Sequence, residues 1–242
     1  MSMDRDVSRE KVSRVSTRVV LLSAEAPEND GDDPDKYGEP YEGVTEDLNE
    51  GIDWYISTNY YNANILNARN VFIADIDIEE YSTDPLLRSK EAYMEWFTSF
   101  IVKQIHRRFR VYETANGFRV FLVDSQLAPD EYASTQLMKL LRSDPLYASC
   151  CVGQMTYRAR LSPKPMRIGM TEWEGQQVEQ FFGLTVDRYT KEEWEAVYNE
   201  RSKEYAVAKV AYVDKGVIED AVINQVIQIH DEHCLGDGKP LA

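Results

Sequence analysis

Between residues 71 and 161 the large hydrophobic residues switch between the two-residue repeat of a strand and the roughly 3.6-residue repeat of a helix. The order is strand, helix, strand, strand, helix, strand, and few compact arrangements accommodate it. One that does is the split βαβ arrangement, with the third strand between the first two and the fourth antiparallel to the first on its free side. The expectation is therefore an α+β fold with a ferredoxin-like or palm-like βαββαβ core.

Each element has its own local signal. Val71 to Asp77 carries Val71, Phe72, Ile73 and Ile76 and stops at Glu79 and Glu80. Asp84-Pro85 marks a helix start, and Tyr93, Trp96, Phe97, Phe100, Ile101 and Ile105 recur at helical spacing through His106. Phe109 to Thr114 and Phe118 to Val123 alternate on either side of Asn116-Gly117, whose tolerance of positive φ suggests a tight hairpin. Pro129 and Asp130 open a second helix through Leu137, Leu140 and Leu141, and Asp144-Pro145 ends it. Thr156 to Leu161 reads as the fourth strand.

Around this core the chain is less constrained. Residues 12–22 end in an apolar run, and 24–50 combine Pro, Gly and acids with few large hydrophobes, so 1–50 reads as an N-terminal extension with an acidic flexible segment. Residues 51–242 read as one domain, with the core at 71–161 and an addition at 162–242. The aromatic residues Trp54, Tyr55, Tyr60 and Tyr61 suit packing better than an exposed stacking surface. In the addition, Thr190 with Glu193 forms a capping box before a helix through Trp194, Val197 and Tyr198. A strand near Ala206 to Val213 and a last helix from Val217 to His233 follow.

A hydrophobic fraction of 43% allows a sizeable core, and a net charge of -15 disfavours nonspecific duplex binding. The expected location is the cytoplasm: no signal peptide or apolar stretch of about 20 residues is present, and Cys150, Cys151 and Cys234 form no spaced disulfide framework. No membrane partner is expected.

Strand parity then gathers the chemistry. Asp75 and Asp77 share one face of the first strand with Ile73, while Phe72, Ala74, Ile76 and Ile78 take the other and meet the helices. By the same parity Arg110, Tyr112 and Thr114 line one face of the second strand, and Arg119 and Phe121 one face of the third. That face is expected to be open and polar. The topology brings Arg119, Arg158 and Arg160 toward the acids, and Lys164 and Arg167 extend the positive run. Two carboxylates on one strand face suit Mg²⁺ or Mn²⁺, and the arginines suit phosphate. The same groups also suit mutual surface ion pairs, worth about 0 to 1 kcal/mol each. His230, His233 and Cys234 lack a clear fourth zinc ligand and read as a solvated helix end. His106, Arg107, Arg108 and Arg110 suit the C-terminal end of a helix dipole.

Phe72-Ile73-Ala74-Asp75-Ile76-Asp77, followed by Thr114-Ala115-Asn116-Gly117-Phe118-Arg119-Val120-Phe121, resembles the first two motifs of the archaeo-eukaryotic primase and primase-polymerase family. The resemblance covers mainly residues 71–165. It implies that Asp75 and Asp77 are catalytic metal ligands and that the strand bearing Arg119, where the family usually has histidine, contacts nucleotide phosphates. No third acid stands on a strand near Arg158 to Leu161, leaving Asp124 as the fallback.

Together these features point to a nucleotide- or nucleic-acid-phosphate-binding protein with divalent-metal-dependent nucleotidyl transfer. Asp75 and Asp77 would hold the metal, and Arg119, Arg158, Arg160 and Lys164 would bind phosphate of a nucleoside triphosphate or nucleic acid. The rival reading is a noncatalytic interaction module whose acidic surface binds a basic protein.

Overall fold

The computed structural model describes residues 52–58, 63–170 and 191–242. It is an α+β fold built on two antiparallel sheets. The smaller sheet contains β1 (Trp54–Thr58), β2 (Asn64–Ala68) and β6 (Tyr157–Arg160), in that spatial order. The larger contains β3 (Ile73–Asp77), β4 (Phe109–Thr114), β5 (Gly117–Leu122) and β7 (Ala208–Val213), in the order β3-β5-β4-β7.

The predicted order of the first three core strands is present, with β5 between β3 and β4, but the fourth strand goes elsewhere. β6 pairs with β2, Leu66 opposite Ala159, and β7 extends the larger sheet beyond β4. The outer edge of β3 is occupied by the start of a helix that the sequence reading missed. Asp144 N–H and Ser143 Oγ donate to the Asp75 carbonyl at 2.8 and 3.1 Å. The Tyr147 hydroxyl lies 3.1 Å from the carbonyls of both Ile73 and Arg158 and accepts from Arg158 N–H at 3.4 Å. A phenol thus sits where a β3–β6 ladder would run.

That helix begins at Asp144-Pro145, the dipeptide read from sequence only as a stop. Helix α1 (Lys90–Trp96) continues through a π-helical stretch, Phe97–Ile101, and a final turn, Val102–Gln104. α2 is Tyr132–Leu140 and α3 is Pro145–Gln154. The Asp144 carboxylate accepts from Tyr147 N–H and Pro145 occupies the first turn, where its missing N–H costs nothing. Asp84-Pro85 opens only a 3₁₀ turn, Pro85–Leu87, and Ser89 caps α1 instead. Helices α4 (Lys191–Ser202) and α5 (Ala221–Cys234) complete the fold. The expected N-terminal extension at 1–50, the Thr190 end of the expected capping box, and Tyr60 and Tyr61 lie outside the described residues.

The hairpin between β4 and β5 forms as predicted but for a different reason. Neither Asn116 nor Gly117 has positive φ. Glycine is required at 117 because a Cβ there would lie 1.8 Å from the Ile76 carbonyl oxygen. The close approach of β3 to β5 excludes any side chain.

One face of the larger sheet meets α1: Tyr93 stacks on Phe118, with centroids 5.2 Å apart, and Phe97 meets Phe109 and Tyr212 edge-on. The other face, expected to be open, is covered by α5. His230 is fully buried there, its ring 4.3 Å from that of Tyr112 and 5.0 Å from that of Phe121. Parity correctly placed polar side chains on this face, and a helix more than 100 residues later in the chain supplies their partners.

Candidate functional site

The site is built from the row that crosses the larger sheet at Asp75. Asp75 stands directly opposite Arg119, and Arg119 opposite Tyr112, so all three share the face beneath α5. Asp77 lies one repeat further on, opposite Gly117, at the exposed end of β3. Asp75 is half-buried, whereas Arg119 is only 5% exposed.

Arg119 is held from behind. Its Nη1 donates to the Arg160 carbonyl at 3.0 Å and lies 3.0 Å from His230 Nε2. Its Nε is buried without a hydrogen-bond partner and faces Asp75 Oδ1 at 3.8 Å, an ion-pair distance but too long for a hydrogen bond. With Nη1 engaged and the residue nearly buried, Arg119 is largely withdrawn from solvent rather than the open phosphate-gripping fork that the sequence suggested. It is a buried counter-charge behind Asp75.

Beyond Asp75 the charges are crowded by kind. Asp77 as a residue is exposed, yet its carboxylate is partly desolvated. That desolvation, with the neighbouring carboxylates of Asp75 and Asp144, raises its pKa against the opposing pull of Lys164. On the facing segment, burial and the charges of Arg160 and Arg167 lower the Lys164 pKa, while Asp77 and Asp75 oppose that shift. Neither Asp77 nor Lys164 forms an ion pair within 4.0 Å with a described residue. Arg160 Nε is buried and also lacks a hydrogen-bond partner.

Of the residues singled out from sequence, Asp75, Asp77, Arg119, Arg160 and Lys164 meet at this edge. Arg158 does not turn toward the acids: its Nη1 donates to Gln154 Oε1 at 3.1 Å, at the end of α3. Asp124 lies past the opposite end of β5, pairing with Arg107 at 2.9 Å and accepting from Arg108 N–H at 2.9 Å. The acid that does approach is Asp144, whose N–H bonds the Asp75 carbonyl and whose charge acts on Asp77. Its Asp-Pro signature marks a helix start, and that was the available clue.

The acids do not form a ready-made three-ligand centre: among the described residues no three His, Cys, Asp or Glu side chains are grouped closely enough to hold a metal ion. A hard cation held by Asp75 and Asp77 would have to complete its shell with other ligands, such as water. The three cysteines are free thiols, and no described helix is long and apolar enough to cross a membrane. No family model, curated protein or solved structure matches the chain.

Proposed function

We propose that the edge formed by Asp75, Asp77, Arg160 and Lys164 binds the phosphate of a nucleotide or nucleic acid together with Mg²⁺ or Mn²⁺, and supports nucleotidyl transfer. One observation carries this reading. Asp77, Lys164 and Arg160 form no direct ion pair with a described residue, Asp75 meets only Arg119, at 3.8 Å, and Asp77 and Lys164 are each crowded by charges of their own sign. A divalent cation beside Asp75 and Asp77, and an anion beside Lys164 and Arg160, relieve both sets at once.

In this reading Asp75 and Asp77 hold the cation, whose chemistry is to offset charge developing on phosphate oxygens. Lys164 and the Arg160 guanidinium orient the anion, and Arg119 supplies a fixed positive charge 3.8 Å behind Asp75 from within the sheet. The resemblance of the β3 and β5 segments to primase motifs supports the same assignment.

Titration of the full chain with Mn²⁺, with and without a nucleoside triphosphate, tests it. Saturable binding that is lost when Asp75 and Asp77 become Asn is the expected result. No binding by the unmodified chain favours the second reading, a noncatalytic module for a basic protein. That reading draws support from β7, which ends the larger sheet among the described strands and exposes Val210 and Val213.

A further inference from the structure

Arginine has no lone pair to offer, so the 3.0 Å contact between Arg119 Nη1 and His230 Nε2 runs one way: Arg119 donates and the imidazole accepts. The ring is then neutral, with its proton on Nδ1. Asp231 Oδ1 lies 3.6 Å from that nitrogen, so the neighbours form no hydrogen bond and, with a neutral ring, no ion pair. Asp231 is engaged elsewhere, accepting from Tyr112 Oη and pairing with Arg110, both at 2.5 Å.

These contacts leave the Arg119 guanidinium little freedom. Nη1 has two hydrogens; one goes to the Arg160 carbonyl and the other to His230. With both committed, the guanidinium plane is set, and the Nε–H edge is turned to Asp75. α5 packs His230, fully buried, against the rings of Tyr112 and Phe121, which restrains it from following a moving arginine. A carboxylate, a guanidinium and an imidazole thus stand in line from the sheet edge to the C-terminal helix.

We propose that His230 is a positioning residue for the Asp75–Asp77 site: a neutral acceptor that sets the orientation of Arg119 and, through it, the Asp75 carboxylate. α5 is on this view one wall of the site rather than a cover added to the sheet. The proposal rests on the reading of Asp75 and Asp77 as the cation-holding pair, and its test has one readout that does not.

That readout is side-chain ¹⁵N NMR of the full chain. The unmodified protein should show His230 in the Nδ1–H tautomer and a separate, exchange-protected Arg119 Nε–H. His230→Leu should abolish the Arg119 signature, and His230→Gln, which returns an acceptor near the Nε2 position, should restore it. Mn²⁺ affinity should fall about threefold in His230→Leu, less than the roughly tenfold or more that follows removal of a group hydrogen-bonded to a metal ligand, because Arg119 meets Asp75 only at 3.8 Å, and should recover in His230→Gln. A proton on His230 Nε2 in the unmodified chain overturns the proposal even if neither variant folds. So does a folded His230→Leu protein with the Arg119 resonance and Mn²⁺ affinity intact. Absence of Mn²⁺ binding by the unmodified chain, with the tautomer and Arg119 signature as expected, removes the cation site and with it the positioning role, leaving only the Arg119 geometry established.

Discussion

Asp75 and Arg119 face each other in register on β3 and β5, yet their nearest charged atoms are 3.8 Å apart, and Arg119 makes its short contacts with Arg160 and His230. The energetics should follow that asymmetry. Arg119→Met removes a buried charge but leaves the Arg160 carbonyl with only a weak Cys234 thiol donor at 3.5 Å and strands the His230 acceptor, and should cost about 2 to 4 kcal/mol. Asp75→Asn should cost less than about 1 kcal/mol, because its partner is distant and its carboxylate is partly hydrated. Urea unfolding of both variants checks this; equal losses would mean that the ion pair, not the internal hydrogen bonds, holds Arg119.

Asp77 should behave in the opposite way to a stabilising acid. Its pKa is raised by desolvation and by Asp75 and Asp144, so its charge is unfavourable in the folded state. Asp77→Asn should leave the melting temperature unchanged or raise it slightly, while Mn²⁺ binding is lost. A clear drop in melting temperature would assign Asp77 a structural role instead.

Acidification should weaken the fold through His230. Burial lowers its pKa from 6.5 to about 4, with Arg119 acting in the same direction and Asp231 opposing. The unfolded chain therefore binds more protons in that interval, so the contribution is complete above pH 6.5 and disappears as pH falls toward 4. The loss from this one group approaches about 3 kcal/mol. Unfolding free energies measured across the interval should flatten in His230→Gln relative to the unmodified chain; parallel curves would exclude His230 as the cause.

Tyr147→Phe isolates the bridge between the two sheets. It removes the hydroxyl lying between Ile73 and Arg158 and keeps the ring, so the expected loss is about 1 to 3 kcal/mol from buried groups left without a partner. Chemical denaturation measures it, and amide exchange should quicken along β6. A neutral substitution would show that β3 and β6 are held together by other contacts.

Gly117→Ala should be among the most damaging small substitutions. The added methyl would meet the Ile76 carbonyl oxygen at 1.8 Å, and both belong to backbone that cannot give way without opening the β3–β5 ladder. Loss of cooperative thermal unfolding, or insolubility, is expected. A variant with unchanged melting temperature would show that the two strands approach less closely.

Most elements were legible because they rest on local signals. Alternation in Phe109 to Thr114 and Phe118 to Val123 gave the central hairpin, and helical spacing from Tyr93 to Ile101 gave α1. The misses came where one local signal has two meanings. Asp144-Pro145 both stops one helix and starts the next, and reading only the stop hid α3 and the acid it brings to the site. β1 and β2 lack a distinct signal, since Trp54 and Tyr55 suit aromatic packing as well as a strand, and so the partner that takes β6 is hidden in sequence.

By itself the sequence determined the α+β class, the positions of most strands and helices, and the sharing of one strand face by Asp75 and Asp77. These follow from backbone period, which any segment carries within itself. Only the tertiary structure decided what lies over that face and which strand β6 would join. A polar row of Arg110, Tyr112 and Arg119 looks the same in sequence whether it meets water or a buried histidine and a half-buried aspartate from a distant helix. The choice is settled by long-range packing, where α5 satisfies those groups and the start of α3 occupies the edge that β6 would otherwise have used.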